Sequence, residues 1–302
     1  MYDFKVPDRK KIRLIVNSDA KNEADDQYTI AHALLTPKFI VKGLIGAHFG
    51  PKRSKTSMED SCRECEKVLQ IMGMEDSVKV FRGAKAAVIS ETDYEFSEGA
   101  KLIVDEALSD DELPLFVIFI GPITDLACAY LHEPKIAGRL TAIWIGGNKY
   151  PNGGSEFNLS NDIKAANIIF NSNIDLWQIP ASAFSTLLVS LAELQTRVAP
   201  HGKIGEYLFK QLVEFNETFY EEAYPNWPLG ESWCLCDSAT IGVMLDPQSH
   251  SYTIRKAPFI NDDMTYTHRD DGRDIRVYDT VNARFILEDM YAKLELFAKL
   301  NK

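Results

Sequence analysis

Short apolar runs alternate with longer segments of helical periodicity over the first two thirds of this 302-residue chain. Apolar runs of strand length are typical of parallel strands covered on both faces, and the run 115–120 (Leu-Phe-Val-Ile-Phe-Ile) contains no polar residue. Apolar positions that repeat every three or four residues predict amphipathic helices between these runs. The alternation predicts an α/β fold built on a mostly parallel, doubly wound, Rossmann-like sheet.

The predicted elements follow one another without a convincing linker or an internal repeat, so we predict a single domain over residues 1–302. The predicted strands are residues 12–16, 40–45, 78–81, 115–120, 142–145 and 176–179. The predicted helices are residues 26–35, 58–72, 97–108, 123–131, 162–170, 187–199 and 202–215. The C-terminal third is more irregular, with a loop, a helix, an extended stretch, a polar loop and a closing helix predicted at 224–230, 238–245, 252–260, 261–274 and 281–300.

Acidic residues crowd the turn between the first predicted strand and the first predicted helix. In an open α/β sheet this turn lies at the carboxyl ends of the strands, where ligands bind. Neighbouring carboxylates repel one another unless a cation neutralises them, and a hard ion with oxygen ligands suits them. One or two acids could instead complement the helix dipole, with Asp19 or Asn22 as the cap. We favour a metal site because four acids lie here: Asp19, Glu23, Asp25 and Asp26.

The apolar strand 115–120 runs directly into Gly121 and Pro122. A Gly-Pro pair makes a tight turn, and proline suits the start of a helix because it has no N–H group to satisfy. Such a turn exposes the carbonyl of Ile120 or Gly121 as a possible metal ligand. An ordinary βα turn is the more common explanation of the same residues taken alone.

A second polar cluster follows the predicted strand 142–145, which ends in two glycines. Glu156 and Asn158 alternate with apolar residues, so in an extended chain both polar side chains face one way. This arrangement suits a polyhydroxylated ligand such as a sugar. As an alternative, Asn158, Ser160 and Asp162 could simply cap the helix that begins near residue 163.

Asp237 stands at the start of the predicted helix 238–245. A lone aspartate in that position is more often an N-cap than a ligand. It gains interest as a further anionic ligand for the acidic turn around Asp19.

Composition limits the partners that we expect. A net charge of −11 argues against a nucleic-acid or anionic-membrane partner, because binding phosphate groups needs a basic surface. The compact basic cluster Lys52-Arg53-Ser54-Lys55 is predicted to be a solvated loop. Five cysteines imply no disulfide framework, and the chain start has no apolar signal-peptide region. We therefore expect a cytoplasmic protein.

In this order the polar segments resemble the inosine-uridine preferring nucleoside hydrolase family, and the likeness spans roughly residues 12–300. The family's Asp-Thr-Asp-Pro-Gly-x-Asp-Asp turn is matched at its ends by Asn17-Ser18-Asp19 and Asp25-Asp26, with two extra residues between them. The family's Gly-Pro-Leu-Thr-Asn-Leu-Ala, Gly-Gly, Glu-Phe-Asn and late His-Asp elements appear as Gly-Pro-Ile-Thr-Asp-Leu-Ala at 121–127, Gly146-Gly147, Glu156-Phe157-Asn158 and Cys236-Asp237.

The resemblance implies an N-ribohydrolase that uses Ca²⁺, with Mg²⁺ the less suitable ion. By family analogy the ion ligands would be Asp19, Asp26, Asp237 and the carbonyl of Ile120. Ribose hydroxyls would be bound by Asp25, Asn158 and Glu156, with Asn152 or Asn148 as a weaker candidate. Asp19 would also act as general base, and nearby carboxylates would stabilise the oxocarbenium character of the ribose.

Three departures from the family pattern concern the metal turn and the leaving base. The insertion Lys21-Asn22-Glu23 adds a cation that could compete with the ion or contact substrate. His48 follows the second strand where the family has asparagine, and it is a candidate catalytic residue, although a lone histidine is more often structural. Cys236 replaces the family's acid histidine, and a thiol is a poor proton donor to a purine near pH 7.

Activation of the leaving base must then come from elsewhere. The candidates are His48, Tyr224, or stacking on Trp227 or Trp233. Substrate would be a small nucleoside or riboside, and the segments 224–230 and 261–274 could act as lids. A catalytically decayed ribose-binding or sensor protein is the alternative function, and the family resemblance also implies a homo-oligomer.

Overall fold

The computed structural model describes residues 2–222 and 227–300. The strands are β1 (Ile12–Ser18), β2 (Phe39–Gly46), β3 (Val80–Arg82), β4 (Leu115–Phe119), β5 (Thr141–Ile145), β6 (Asp175–Ile179), β7 (Leu188–Ser190), β8 (Ser232–Cys234), β9 (Ser251–Lys256), β10 (Phe259–Ile260), β11 (Tyr266–Thr267) and β12 (Asp274–Thr280). The helices are α1 (Asp26–Leu34), α2 (Ser57–Met72), α3 (Glu98–Ala107), α4 (Thr124–His132), α5 (Phe157–Asn161), α6 (Ile163–Asn171), α7 (Ala181–Phe184), α8 (Leu191–Arg197), α9 (Gly202–Thr218), α10 (Ala239–Leu245) and α11 (Ala283–Leu300).

Eight strands form one central sheet in the order β3-β2-β1-β4-β5-β6-β12-β9. All neighbours pair in parallel except β9, which runs antiparallel to β12 at the edge. The chain builds outward from β1 to β2 and β3 on one side, and from β4 onward on the other. The strand order therefore reverses between β1 and β4, and a switch of this kind opens a crevice at the carboxyl ends of the strands.

Two hydrophobic clusters cover the two faces of this sheet. Every residue of β1 is buried, and its side chains alternate between the clusters: Leu14 and Val16 belong to one, Ile15 to the other. Such burial on both faces explains why the central strands carry continuous apolar runs rather than an alternating pattern. None of the helices within the described residues is long and apolar enough to span a membrane.

The predicted fold class is confirmed, and all six predicted strands are present with ends shifted by one or two residues. The single helix predicted over 187–199 is wrong in its first part. Residues Leu188–Ser190 instead form β7, which pairs with β8 from a distant part of the chain, and the helix begins at Leu191. A long-range strand pairing has thus overridden the local helical pattern.

The C-terminal third is less irregular than its sequence suggests. β12 was not predicted, yet it extends the central sheet beyond β6 and carries β9 on its other edge. Ile275 and Val277 pack into one hydrophobic cluster and Tyr278 into the other, so this part of β12 is covered on both faces of the sheet. The extended stretch predicted over 252–260 is divided between β9 and β10.

Candidate active site

A cavity of about 390 Å³ opens beside the carboxyl ends of the central strands. Among the described residues, its lining combines five carboxylic acids, one arginine and an aromatic and apolar wall. The lining residues are Asp19, Asn22, Glu23, Asp26, Arg53, Ile120, Ile145, Ser155, Glu156, Phe157, Asn158, Ala181, Phe184, Ser185, Trp227, Trp233, Cys234, Cys236 and Asp237.

Asp19 lies at the switch between β1 and β4. Its side chain is 1% exposed, and its Oδ2 has no hydrogen-bond partner among the described residues. A Cβ atom on Gly121 would lie only 2.9 Å from Asp19 Cγ, so glycine is what lets the turn after β4 approach this carboxylate. The Gly121 carbonyl accepts a hydrogen bond from Trp144 Nε1 at 3.1 Å, whereas Ile120 lines the cavity. Of the two carbonyls considered, that of Ile120 is therefore the better candidate ligand.

The other acids of the first turn are fixed by hydrogen bonds from neighbouring strands and turns. Asp26 begins α1, and its Oδ1 accepts a hydrogen bond from Ser18 at the end of β1. Asp25 Oδ2 accepts from the Cys236 thiol at 3.0 Å and from the Asp237 backbone N–H at 3.4 Å. The tight turn before α10 is thus held directly against the turn before α1.

Burial raises the pKa of Asp19, Asp26 and Asp237 well above the ordinary range, and the charges of neighbouring carboxylates raise it further. Glu23 behaves in the same way, because it is buried beside Asp25 and Asp26. These acids cannot all ionise in a buried site without a compensating positive charge. A bound cation would remove both the burial penalty and the mutual repulsion.

The donor atoms in this site form a candidate metal position. Among the described residues, one oxygen or sulfur atom from each of Asp25, Cys236 and Asp237 lies within 4.8 Å of the others. Asp19 and Asp26 stand outside that group but line the cavity with Cys236 and Asp237, whereas Asp25 is not among the lining residues. The buried, unpartnered Oδ2 of Asp19 is an oxygen that a cation could engage, and carboxylate-rich surroundings favour calcium-like or magnesium-like ions.

Glu156 and Asn158 both line the cavity, but not through an extended chain as their alternation predicted. Glu156 is the N-cap of α5, and its carboxylate accepts backbone hydrogen bonds from Gly147, Asn158 and Leu159 at 2.8–2.9 Å. Burial raises the pKa of Glu156 to about 7, against the opposing effect of these N–H groups. The Asn158 amide donates to the Ile145 carbonyl at 3.0 Å, which fixes its side chain at the end of β5.

The capping alternative applies to only part of this cluster. Asp162 caps α6 by accepting a hydrogen bond from the Ala165 backbone N–H at 2.9 Å. Ser160 donates its hydroxyl to the Phe157 carbonyl instead of capping the helix.

An aromatic wall closes the cavity on the side of the turn that carries Cys236. Trp233 is 3% exposed, and its ring lies 5.4 Å from that of Trp227 and 5.7 Å from that of Phe215. A hydrogen bond with Cys234, burial and the charge of Asp25 raise the pKa of Cys236 well above that of an ordinary thiol. The thiol therefore remains protonated and is a weak acid.

His48 does not line this cavity. Its Nε2 lies 2.9 Å from Thr124 Oγ1, which donates to Asp162, and its Nδ1 accepts from the Gly50 backbone N–H at 3.4 Å. Burial lowers the pKa of His48 to about 4, so the ring is neutral at pH 7. These contacts belong to a buried network that joins the turn after β2 to α4 and α6.

Other predicted groups also lie away from the cavity lining. Asn152 is exposed, and its carbonyl accepts from the Tyr266 backbone N–H at 3.0 Å. Asn148 donates its side-chain amide to the Ser155 carbonyl at 2.8 Å and so braces the loop after β5. Tyr224, together with part of the predicted lid 224–230, lies outside the described residues.

The inserted residues behave differently from one another. Lys21 Nζ lies 3.6 Å from Glu64, its side chain is half exposed, and Lys21 is not among the described residues that line the cavity. Glu23 and Asn22, in contrast, line the cavity. Glu23 was one of the four acids from which the metal site was predicted, whereas Asn22 was considered only as a possible helix cap.

Arg53 is the functional candidate that sequence reasoning missed. The segment around it was predicted to be solvated, yet the Arg53 side chain is only 15% exposed and lines the cavity. Its guanidinium lies 4.4 Å from the centre of the Phe157 ring and 4.8 Å from that of Phe219. The prediction of a solvated loop is therefore wrong at this residue.

The amino-acid sequence of this chain is similar to the sequences of one enzyme family. The family model of the inosine-uridine preferring nucleoside hydrolases matches residues 14–287. An inosine-uridine preferring nucleoside hydrolase from Leishmania major is 24% identical over 161 residues, which are 52% of this chain and 49% of that protein. A probable uridine nucleosidase 2 from Arabidopsis thaliana is 23% identical over 278 residues, which are 82% of this chain and 81% of that protein. The matched region thus spans about half of the first relative and most of the second.

Solved structures share the fold over nearly the whole chain. A purine-preferring ribonucleoside hydrolase from Gardnerella vaginalis superposes with a TM-score of 0.78 at 20% identity, covering 95% of this chain and 99% of that one. The plant nucleoside hydrolase PpNRh1 superposes with a TM-score of 0.74 at 20% identity, covering 94% and 99%. Since the family model covers the acidic turn, the Glu156 cap and the Asp237 turn together, this chain belongs to the inosine-uridine preferring nucleoside hydrolase family.

Proposed function

We propose that this protein hydrolyses the N-glycosidic bond of ribonucleosides or related N-ribosides, releasing ribose and a free base. The family to which the chain belongs consists of metal-dependent N-ribohydrolases. The observation that carries the proposal is the buried, unpartnered Oδ2 of Asp19 in a cavity that also contains Asp26 and Asp237. A fold alone requires no such convergence of acids, because their repulsion destabilises the protein without a cation.

The metal is proposed to be Ca²⁺, held by Asp19, Asp26, Asp237 and the Ile120 carbonyl. Several buried carboxylates plus a backbone carbonyl suit the high, flexible oxygen coordination of Ca²⁺ better than the strict octahedron of Mg²⁺. When bound, the ion lowers the pKa of a coordinated water and fixes its position. Within the chain itself, Asp19 Oδ2 is the oxygen proposed to take the proton from the attacking water, because it is not committed to a described hydrogen-bond donor.

The ribose is proposed to lie between the acidic turn and α5. Asp25, Glu156 and Asn158 offer oxygen atoms on side chains that are already fixed by hydrogen bonds. As the glycosidic bond breaks, positive charge develops on the ribose ring, and carboxylates held in place stabilise it without having to reorient. Fixed acceptors of this kind favour the transition state over the neutral substrate.

The leaving base is proposed to lie against the aromatic wall, where Trp233 offers a stacking surface and Cys236 a thiol. Because that thiol is a weak acid already committed to Asp25, Cys236 is a minor proton donor at best. The named relatives do not share one base preference, since they include an inosine-uridine enzyme, a uridine enzyme and a purine-preferring enzyme. We therefore propose an N-riboside substrate without assigning its base.

The experiment that tests this function is hydrolysis of p-nitrophenyl β-D-riboside with Ca²⁺ and with excess chelator. The nitrophenolate needs no protonation to leave, so the assay tests the metal and ribose half of the site alone. Turnover that the chelator abolishes and Ca²⁺ restores supports the proposal. A folded, Ca²⁺-loaded protein that binds ribose without turnover would instead support the decayed-site alternative.

The cellular setting is also part of the proposal. All five cysteines are free thiols, four of them within or beside the core, which suits the reducing cytoplasm. A role in nucleoside salvage follows from the proposed products. The homo-oligomer is carried over from the family resemblance, and sedimentation analysis would test it.

A further inference from the structure

The cavity is rich in carboxylates and has little positive charge that could stabilise a departing base. Five of the lining residues are acidic, while Arg53 is the basic residue of that lining among the described residues. A departing base gains negative charge as its bond to ribose breaks, so nearby carboxylates oppose its departure. The thiol of Cys236 donates to Asp25 and offers little compensation.

Arg53 is held at the cavity wall by two polar partners. Its Nε and Nη2 donate to Glu221 Oε2 at 3.2 and 2.8 Å, and its Nη1 donates to the side chain and the backbone carbonyl of Asn22. A guanidinium has five N–H groups, and these four hydrogen bonds leave at least one for a ligand, counted within the described residues. The group is therefore oriented in advance and still able to donate.

The charge of Arg53 is not cancelled by its ion pair. Glu221 also pairs with Lys52 through Oε1 at 2.7 Å, so two cations share one carboxylate and the group keeps a net positive charge. Lys52 is largely exposed, whereas Arg53 faces the cavity. Arg53 therefore brings positive charge to the wall of the cavity.

The position of Arg53 connects it with the ribose-binding segment. Its guanidinium stacks on Phe157, which lies between Glu156 and Asn158 in the chain. On another side it approaches Phe219 and Trp227, at 4.8 and 5.8 Å from the ring centres. An arginine placed between the sugar side and the aromatic wall is well situated for a base attached to that sugar.

The inserted turn supplies one of the two anchors. Asn22 belongs to the segment in which this chain has two residues more than the family pattern, and it is the Nη1 partner of Arg53. Two departures from that pattern, the insertion and the loss of the histidine at Cys236, are thereby linked. Arg53, which the insertion anchors, and Cys236 line the same cavity.

We propose that Arg53, positioned by Asn22 and Glu221, is the catalytic residue that stabilises the departing base. This inference rests on the proposed function. In the step concerned, the C1′–N bond breaks and its electron pair leaves on the base nitrogen, while the water oxygen bonds to C1′. One water proton passes to Asp19 and from there to solvent, and the base takes up one proton from solvent, so that riboside and water give ribose and neutral base. Arg53 donates a hydrogen bond to the base during bond cleavage and transfers no proton.

The test compares Arg53→Ala with wild type on two substrates, inosine or uridine and p-nitrophenyl β-D-riboside. A residue that acts on the leaving group matters for a poor leaving group and little for nitrophenolate. We expect kcat/KM for the nucleosides to fall on the order of 100-fold, and that for the nitrophenyl riboside to fall by less than about fivefold. Guanidinium ion at non-denaturing concentration should restore part of the nucleoside activity.

The matched control is Arg197→Ala. Arg197 also pairs with a glutamate, Glu288, and lies 4.8 Å from the centre of an aromatic ring, Tyr291, but it is not in the cavity lining. This variant should leave both rates unchanged. If Arg53→Ala fails to fold, Arg53→Lys serves in its place, because lysine keeps the positive charge but lacks the planar array of N–H donors of the guanidinium. The rate of Arg53→Lys on nucleosides should still fall more than its rate on p-nitrophenyl riboside.

The outcomes separate this inference from the proposed function. Equal losses on both substrates would mean that Arg53 only braces the loops, and the inference would be overturned while the function stands. Wild-type protein with Ca²⁺ that hydrolyses neither substrate would overturn the function itself. A selective loss on nucleosides, rescued by guanidinium, supports both.

Discussion

The Cys236 thiol donates a hydrogen bond to Asp25 Oδ2 at 3.0 Å, and this contact joins two turns that lie 211 residues apart in the chain. The first turn follows β1 and the second precedes α10. One of the carboxylates proposed to bind ribose is therefore oriented by the residue that stands where the family has a histidine. This contact gives Cys236 a positioning role without requiring it to be the acid.

Substitution of Cys236 tests that role. Cys236→Ser keeps a donor to Asp25 and should retain most of the activity, whereas Cys236→Ala should lose about 1 kcal/mol of transition-state stabilisation. The loss should be equal for nucleosides and for p-nitrophenyl riboside, because the effect passes through the ribose side. Steady-state kinetics on both substrates measure it, with Cys128→Ala as a buried cysteine outside the cavity lining. A loss confined to nucleosides would instead identify Cys236 as the acid.

Neutralising a carboxylate of the metal site should stabilise the protein when metal is absent. Asp26→Asn or Asp237→Asn removes a charge that its buried neighbours repel, so the free energy of unfolding without metal should rise by about 1 kcal/mol. The same variants should lose the increase in melting temperature that Ca²⁺ gives to wild type. Thermal unfolding with and without Ca²⁺ measures both effects.

Asp125→Asn is the matched control for these variants. Asp125 is also a buried aspartate, but it accepts hydrogen bonds from Asn17, Ala84 and Ser97 at 2.6–2.8 Å. Its replacement should lower stability by roughly 1–3 kcal/mol, because a satisfied network is broken. If Asp26→Asn or Asp237→Asn instead lowers the stability of the metal-free protein, the carboxylates of the metal site do not repel one another as proposed.

The titration of Glu156 predicts a pH dependence of stability. Its pKa is about 7 in the folded protein and near 4.5 when unfolded, so the folded state holds the proton more tightly. This contribution is fully present below about pH 4.5 and is lost as the pH rises through about 7. Relative to Glu156→Gln, wild type should therefore lose stability between pH 5 and pH 8. Urea unfolding of both proteins at several pH values checks this, and a constant difference would contradict it.

The titration of His48 predicts the opposite change, a stability that decreases as the pH falls. Its pKa is lowered to about 4 by burial, so the unfolded chain binds the proton more readily than the folded protein does. The stability from this neutral ring is present above about pH 6.5 and is lost as the pH falls towards 4. His48→Gln should be less stable at pH 7 by about 1–3 kcal/mol and should show a weaker loss of stability on acidification. Its rates on nucleosides and on p-nitrophenyl riboside should change by the same factor, since a leaving-group acid would affect the nucleosides alone.

The sequence predicted the sheet and the positions of the acids because both depend on local patterns. Fully apolar runs identified the buried strands, and polar residues directly after them could only lie at one edge of a parallel sheet. Asp19 and Asp26 follow that logic, whereas Asp237 was predicted from its place at the start of a helix and from the family resemblance; all three line one cavity.

The features that escaped prediction depend on contacts between distant segments. Arg53 reaches the cavity because Glu221, 168 residues further along, holds it there. β7 forms because Ser232–Cys234 supplies its partner strand, and Glu156 meets Asn158 through an N-cap turn that simple alternation does not reveal. No local pattern in the chain specifies these pairings.

The most direct test of an N-ribohydrolase is to follow the oxygen of water into the product. The Ca²⁺-loaded protein is incubated with inosine and with uridine in ¹⁸O-labelled water without phosphate, and ribose and base are analysed by mass spectrometry. We predict one ¹⁸O atom at C1 of the released ribose, none in the base, and no product in the presence of chelator or with Asp19→Asn. Free base without labelled ribose, or release that requires phosphate or persists with chelator, would contradict a metal-dependent hydrolysis at this site.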